Sequence, residues 1–212
     1  DEEKAFELFS ASASSGNLRG MNGLGIIYER RKQPDKALAW LKRASDAGSG
    51  IAATSIGNYY DDGENGVAPD AERALYWYNL SSQRKCSFAL NRIALLYERG
   101  MAGRGEHTVK FEKNTNKARE IYENAFIAGD IDSAFRLCMI NYDAGDNKKS
   151  EYWCLKGAQA GDEESIVWLS FLLVQQEKYN DAKYWLDKCP PSSDQCNNYI
   201  KALKKEHPGK IK

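Results

Sequence analysis

The sequence predicts an all-α solenoid, a stack of about five to six helix pairs, and three observations carry that expectation. The stretch "KALAWLKRASDAG", residues 36–48, puts Ala37, Trp40, Leu41 and Ala44 on one helical face and closes on a glycine. Stripes cut to the same pattern return as "RALYWYNLSSQRK", "KAREIYENAFIAG" and "KSEYWCLKGAQAG". A second helical pattern runs between them, and the spacing of 32 to 44 residues from one start to the next is that of a helix pair.

The first pattern, K/R-A-x-x-W-Y-x-x-A-A-x-x-G, fits segments beginning at Lys4, Lys36, Arg73, Lys117, Lys149 and Asp181. Its fifth column holds Leu8, Trp40, Trp77, Ile121, Trp153 and Trp185, and its sixth Phe9, Leu41, Tyr78, Tyr122, Cys154 and Leu186. Small residues fill the ninth: Ser12, Ala44, Ser81, Ala125, Gly157 and Cys189. Large beside small in register is how close-packed helices interlock. The first helix, from Glu3, is the second half of a unit, so the array opens on a half-repeat.

The second pattern, A-x-x-x-L-G-x-x-Y, appears in "GMNGLGIIY", "AATSIGNYY", "ALNRIALLY", "SAFRLCMIN" and "SIVWLSFLL". Its small column reads Gly25, Gly57, Ala94, Cys138 and Ser170. Glycine inside a helix costs about 1 kcal/mol against alanine, so Gly25 and Gly57 predict close approach of a neighbouring helix. No phosphate loop is implied by Gly23 and Gly25. The connection "GMAGRGEHTVKFEKNTN", residues 100–116, is far longer than the usual link of about 2 to 8 residues. Two readings of it stand: a tolerated surface insertion, or a contact loop touching a partner through Arg104, His107, Lys110 and Phe111. A polar helix near 194–206 is expected to cap the far end with its lysines in water.

Each helix pair hides its apolar face only against its neighbours, so the expectation is one quasi-one-dimensional domain over 1–212. Thirty basic and thirty acidic residues among 212 give zero formal net charge, which removes any global field drawing the chain to nucleic acid. There is no run of 18 apolar residues, and residue 1 is not followed by the n-region and h-region of a signal peptide. The enzyme motifs G-x-S-x-G, H-E-x-x-H and the Walker loop are missing, and no cofactor is expected. Cysteine spacing does not favour zinc, since C-x-x-C is absent and both histidines lie far from the cysteines.

These residues resemble the Sel-one-like repeat (SLR) family over roughly residues 4–190. "YYDDGENGVAPDAERALYWY" carries the resemblance best, with Tyr60, Gly63, Gly66, Val67, Asp70, Ala74 and Trp77 in the family's places and one extra residue between the glycines. The segments at Lys149 and Asp181 lack the G-x-G-V turn and are closer to a plain tetratricopeptide hairpin. The resemblance implies antiparallel helix pairs stacked as a right-handed superhelix, and a protein-binding role without catalysis. It also implies a concave wall lined by the second-pattern helices, whose positions here are Asn22 and Ile26, Thr54 and Asn58, Asn91 and Leu95, Phe135 and Met139, Val167 and Phe171. Glu29, Asp61 and Glu98 would form an acidic rung, followed by Tyr142 and Val174. For Val167 and Phe171, burial under the terminal helix competes with exposure and is preferred; for Phe135 and Met139, exposure is.

Five cysteines leave one over if pairing occurs. Cys189 ends one helix and Cys196 begins the next across "PPSSDQ", and exported, cysteine-rich members of the family place disulfides at a similar junction; the alternative is a small residue that happens to be cysteine. Cys138 and Cys154 occupy facing core columns, where two core thiols are the preferred reading. An oxidised chain argues for an exported, periplasm-like compartment, with the cytoplasm as alternative. Bacterial exported members of the family include antagonists that block toxic effectors delivered by rival cells, type VI secretion lipases among them. That role, an envelope adaptor and, less favoured, a cysteine-rich hydrolase are the functions the resemblance implies.

Overall fold

Every stripe folds as a helix in the computed structural model, which describes residues 1–63, 67–104 and 107–210. Among the described residues the order is α1 (Glu2–Ser14), α2 (Leu18–Arg30), α3 (Pro34–Asp46), α4 (Gly50–Asp62), α5 (Ala71–Gln83), α6 (Ser87–Arg99), β1 (Met101–Arg104), β2 (His107–Lys110), α7 (Thr115–Ile127), α8 (Asp132–Asp143), α9 (Asn147–Ala160), α10 (Glu163–Gln175), α11 (Tyr179–Leu186) and α12 (Asp194–Glu206). The helix starts are written in the sequence. Asn17, Ser49, Asp70, Asp146, Asp162 and Ser193 each turn a side-chain oxygen onto the first free N–H groups of a helix. Gly63, Gly100 and Gly161 end helices in the left-handed conformation that glycine adopts without a steric penalty.

Contacts divide the chain into two compact units, Asp1–Ile121 and Tyr122–Lys212. In the first unit each helix from α1 to α6 packs on the next. In the second, α8, α9, α10 and α11 do the same, and α12 lies on α10. The all-α solenoid expected from the two patterns is therefore the observed architecture.

The interlock lies between two columns. At Gly25 and Gly57 the small column of the second-pattern helix faces the sixth column of the following first-pattern helix, Leu41 and Tyr78. A methyl group on Gly25 would stand 2.7 Å from the Leu41 side chain, and one on Gly57 would stand 2.5 Å from the Tyr78 ring, so both positions admit only glycine as packed. Leu41 and Tyr78 are almost wholly buried. In the second unit the same two columns carry Cys138 and Cys154, whose Cα atoms are 5.2 Å apart and whose sulfurs are bonded. The core-thiol reading is thereby corrected: where the first unit sets glycine against a large side chain, the second sets two cysteines at bonding distance. Cys189 and Cys196 form the other disulfide, with Cα atoms 6.3 Å apart, tying the end of α11 to α12. Cys86 is the free cysteine.

The described residues of the long connection carry two short strands, an arrangement that neither sequence reading named. Met101–Arg104 and His107–Lys110 pair as an antiparallel hairpin in which Ala102 faces Val109 and Arg104 faces His107. A two-stranded hairpin is marginal alone, and this one is held because β1 packs on α4 and α6 with Ala102 fully buried. The Phe111 ring rests on Tyr97, 5.1 Å between centroids, and its amide donates to the Gly100 carbonyl. The sequence hid this because four-residue strands interrupted by Gly103 give almost no alternation to read. Gly66 of the family turn lies outside the described residues.

Helix α12 lays Cys196, Leu203, Tyr199 and Ile200 inward while its lysines stay exposed. The apolar cluster beneath it takes in Val174, Tyr179 and Leu186. Val167 and Phe171 are half-buried, and Phe171 packs against the apolar cluster of the second unit.

Candidate functional site

In the first unit the predicted row is largely engaged within the unit. Asn22 on α2 donates its amide to the Ser49 hydroxyl over 3.0 Å, bracing the start of α4. Asn58 accepts the Tyr78 phenol proton at 2.8 Å, and the Thr54 and Ser81 hydroxyls are 2.7 Å apart. Asn91, Leu95 and Glu98 on α6 are half-buried. Ile26 is the exception, half exposed beside an open depression of about 440 Å³ lined by Phe9, Gly23 and Ile27 among others.

Of the three acidic residues in line, Asp61 turns inward. Asp61 is buried, with its side chain 2% exposed, and its carboxylate takes a 2.5 Å ion pair from Arg99 of α6 and, at 3.2 Å, shares the Tyr78 phenol proton with Asn58. Burial pushes the Asp61 carboxyl above its ordinary value against the opposing pull of Arg99, and raises the Tyr78 phenol for the same reason. This is internal bracing, and no sequence period separates such a residue from a surface carboxylate. On the hairpin, Arg104 pairs with Asp62 at 2.8 Å, His107 and Lys110 are exposed, and Phe111 is half-buried against Tyr97. The contact-loop residues therefore stand on a docked ribbon, with Phe111 engaged in holding it.

The second unit brings the remaining predicted residues together. On α8, Phe135, Met139 and Tyr142 are half-buried. Phe135 meets the ring of Trp168 from α10 at 6.5 Å, edge to face; Tyr142 meets Trp168 at 5.5 Å and Phe171 at 6.3 Å; Trp168 and Phe171 lie 5.1 Å apart. Trp168 was missed by sequence reasoning, which took Val167, one position away, as the row residue of α10. Its indole N–H is buried without an acceptor among the described residues, so the ring is held by packing alone.

Carboxylates border this aromatic row. Asp130 and Asp162 are buried at the starts of α8 and α10; Asp162 caps α10 through the Ser165 amide at 2.8 Å, and Asp130 accepts the Ser133 hydroxyl proton. Asp132 and Glu164 are exposed neighbours. Partial desolvation raises the Asp132 carboxyl, with further pushes from Asp130 and Asp162; desolvation, Asp162 and Asp132 do the same to Glu164, and Arg136 opposes both.

For catalysis the described residues offer little. No cluster of three or more His, Cys, Asp or Glu side chains fit to hold a metal ion is found among them. Cys86 begins α6 with its sulfur 3.8 Å from the Thr54 hydroxyl, and His107 sits opposite Arg104 in the hairpin. No described helix is long and apolar enough to cross a membrane.

Known proteins agree with this architecture. Among curated proteins, chitin synthase regulatory factor 3 of Schizosaccharomyces pombe is 27% identical over 105 residues, 47% of this chain; the match spans 11% of that protein. Among solved structures, the Sel1 repeat protein from Oxalobacter formigenes superposes with a TM-score of 0.73 at 20% identity, covering 97% of this chain and 89% of that one. The protective antigen c5321 of uropathogenic Escherichia coli, which displays an SLR fold, gives 0.70 at 22% identity over 98% of this chain and 45% of that one. Pseudomonas aeruginosa pilF gives 0.58 at 15% identity, covering 98% and 92%. At such identities these structures speak for the fold. The family described as Sel1 repeat matches residues 1–17, 19–49, 50–85, 87–130 and 131–162, and the chain belongs to that family of protein-interaction repeats.

Proposed function

We propose that the chain is a non-catalytic scaffold of an oxidising, periplasm-like compartment, and that in its most specific form it binds and blocks a secreted toxic effector such as a type VI secretion lipase. The observation that carries the scaffold reading is the aromatic row of α8 and α10. Four rings from two helices lie edge to face while keeping part of their surface in water, and aromatic side chains in such positions are what protein interfaces bury. Two disulfides among five cysteines support the compartment. The effector rests on the resemblance to exported antagonists of the same family. A regulatory adaptor is the second reading, favoured by the curated relative, itself named as a regulatory factor.

The test is titration of the chain into a purified effector lipase with its activity followed. Binding with loss of activity is expected, and Phe135→Ala should weaken it by at least tenfold, the effect of truncating one anchoring ring. An untouched lipase beside a captured envelope protein moves the function to the adaptor. Alkylation of denatured, unreduced protein from native cells reads the compartment: one reactive thiol, Cys86, is expected, and five would place the chain in a reducing environment.

A further inference from the structure

The aromatic row begins in acid on both of its helices. On α8, Asp132, Phe135, Met139 and Tyr142 follow one another at steps of three, four and three residues, hence on one face; on α10, Glu164, Trp168 and Phe171 step by four and three. Phe135 pairs with Trp168, and Tyr142 with Trp168 and Phe171, so the two stripes run side by side in the same direction. Both start with a carboxylate and continue in rings. Asp130 and Asp162 stand behind those carboxylates, and Arg136 is the basic group acting on both.

We infer that this face takes a short basic and apolar segment of the partner protein, with a Lys or Arg at the Asp132 and Glu164 end and an apolar side chain two or three residues away lying on the rings. The inference rests on the scaffold reading and gives its partner a chemistry. A cation relieves the crowding of like charge at the carboxylates, while its methylene stem and its charge both lie well against aromatic faces. An acidic segment, a nucleic acid or an anionic lipid surface meets repulsion at the same end. A wholly apolar segment would strip water from carboxylates and return nothing for it. The lengths agree: seven residues of helix from Glu164 to Phe171 rise about 10 Å, and three residues of extended chain span about 10 Å.

The probe is the fluorescein-labelled peptide Gly-Arg-Lys-Gly-Gly-Leu-Trp-Gly, read by anisotropy against the full chain, with two companions in which Arg-Lys becomes Glu-Glu or Ser-Ser. The basic peptide is expected to bind with a Kd on the order of 10 to 100 μM, and the Glu-Glu peptide at least about tenfold more weakly. The double variant Asp132→Asn, Glu164→Gln, with both positions exposed and folding checked by circular dichroism, should weaken the basic peptide about fivefold and leave Ser-Ser unchanged. Phe135→Ala should weaken all three. Equal binding of the three peptides, indifference of the basic peptide to the double variant, or no binding at all would overturn the inference. A native partner held equally well by the double variant also overturns it while leaving the scaffold reading intact, whereas selective binding of the basic peptide by a chain that holds no protein would sink that reading and keep the chemistry.

Discussion

The same row of template positions does opposite things in the two units. Between residues 1 and 121 its polar members turn to their own neighbours, Asn22 to Ser49, Asn58 to Tyr78 and Asp61, next in line, to Arg99, while Ile26 stays exposed. Between residues 122 and 210 Phe135, Tyr142 and Phe171 on or next in line to the row, with Trp168 one position off it, meet by ring contact while part of each stays in water. A half-buried polar group must find a hydrogen-bond partner, and the nearest donors and acceptors lie inside the unit. The rings of Phe135 and Phe171 carry no such demand, and the Trp168 indole N–H is buried without an acceptor among the described residues. Template position therefore sets where a side chain stands, and its chemistry decides whether it braces the stack or remains for a partner.

If that contrast is right, the units should fail for different reasons. The largest effect is expected at the covalent brace of the second unit. Removing the Cys138–Cys154 bond by paired alanine substitution opens a loop closed over 16 residues, worth about 3 kcal/mol. Hydrogen exchange followed peptide by peptide should show α8 and α9 losing protection while α2 to α5 keep theirs. Equal loss in both units would erase the distinction. In the first unit the corresponding brace is electrostatic. Arg99→Ala leaves the buried Asp61 carboxylate without its cation, at a cost of about 2 kcal/mol, below the range for fully buried pairs because Arg99 keeps 29% of its side chain in water. Asp61→Asn added to Arg99→Ala should return part of that loss, because the uncompensated charge is then gone. A double variant no better than the single one would show that packing alone is at stake.

The sequence made the stack legible because helix period and column content coincide. Trp40 and Trp77 recur in register, and Gly25 and Gly57 stand where a neighbour's Leu41 and Tyr78 press in. The same columns placed Cys138 opposite Cys154, yet a core cysteine and a bonded one have identical periodicity, and only the 5.2 Å Cα separation distinguishes them. Phe135, Met139 and Tyr142 were found by counting from the alanine column; Trp168 was not, because one residue along a helix turns a side chain by about 100° and the count chose Val167. Asp61 was misread for a different reason. Its burial depends on Arg99, 38 positions away and beyond any local pattern. The hairpin over 101–110 escaped notice because its order comes from docking on α4 and α6.

The smallest expected effect is one of pH and follows from the acid border of the aromatic row. In the folded chain partial desolvation and neighbouring carboxylates hold the Asp132 and Glu164 carboxyls above their ordinary values. The folded state thus binds protons more tightly than the unfolded chain, whose carboxyls titrate near about 4. Between that value and the raised folded ones, unfolding releases protons, so the stability of the second unit falls as pH rises through the window. Both groups keep contact with water, which limits the change to a few tenths of a kcal/mol. Asp132→Asn with Glu164→Gln should flatten the pH dependence of urea unfolding across that window and leave the variant slightly more stable near neutrality. Were the variant instead less stable at neutral pH, the two carboxylates would be working for the fold, and the contrast between a bonded row and one left for a partner would lose its charged edge.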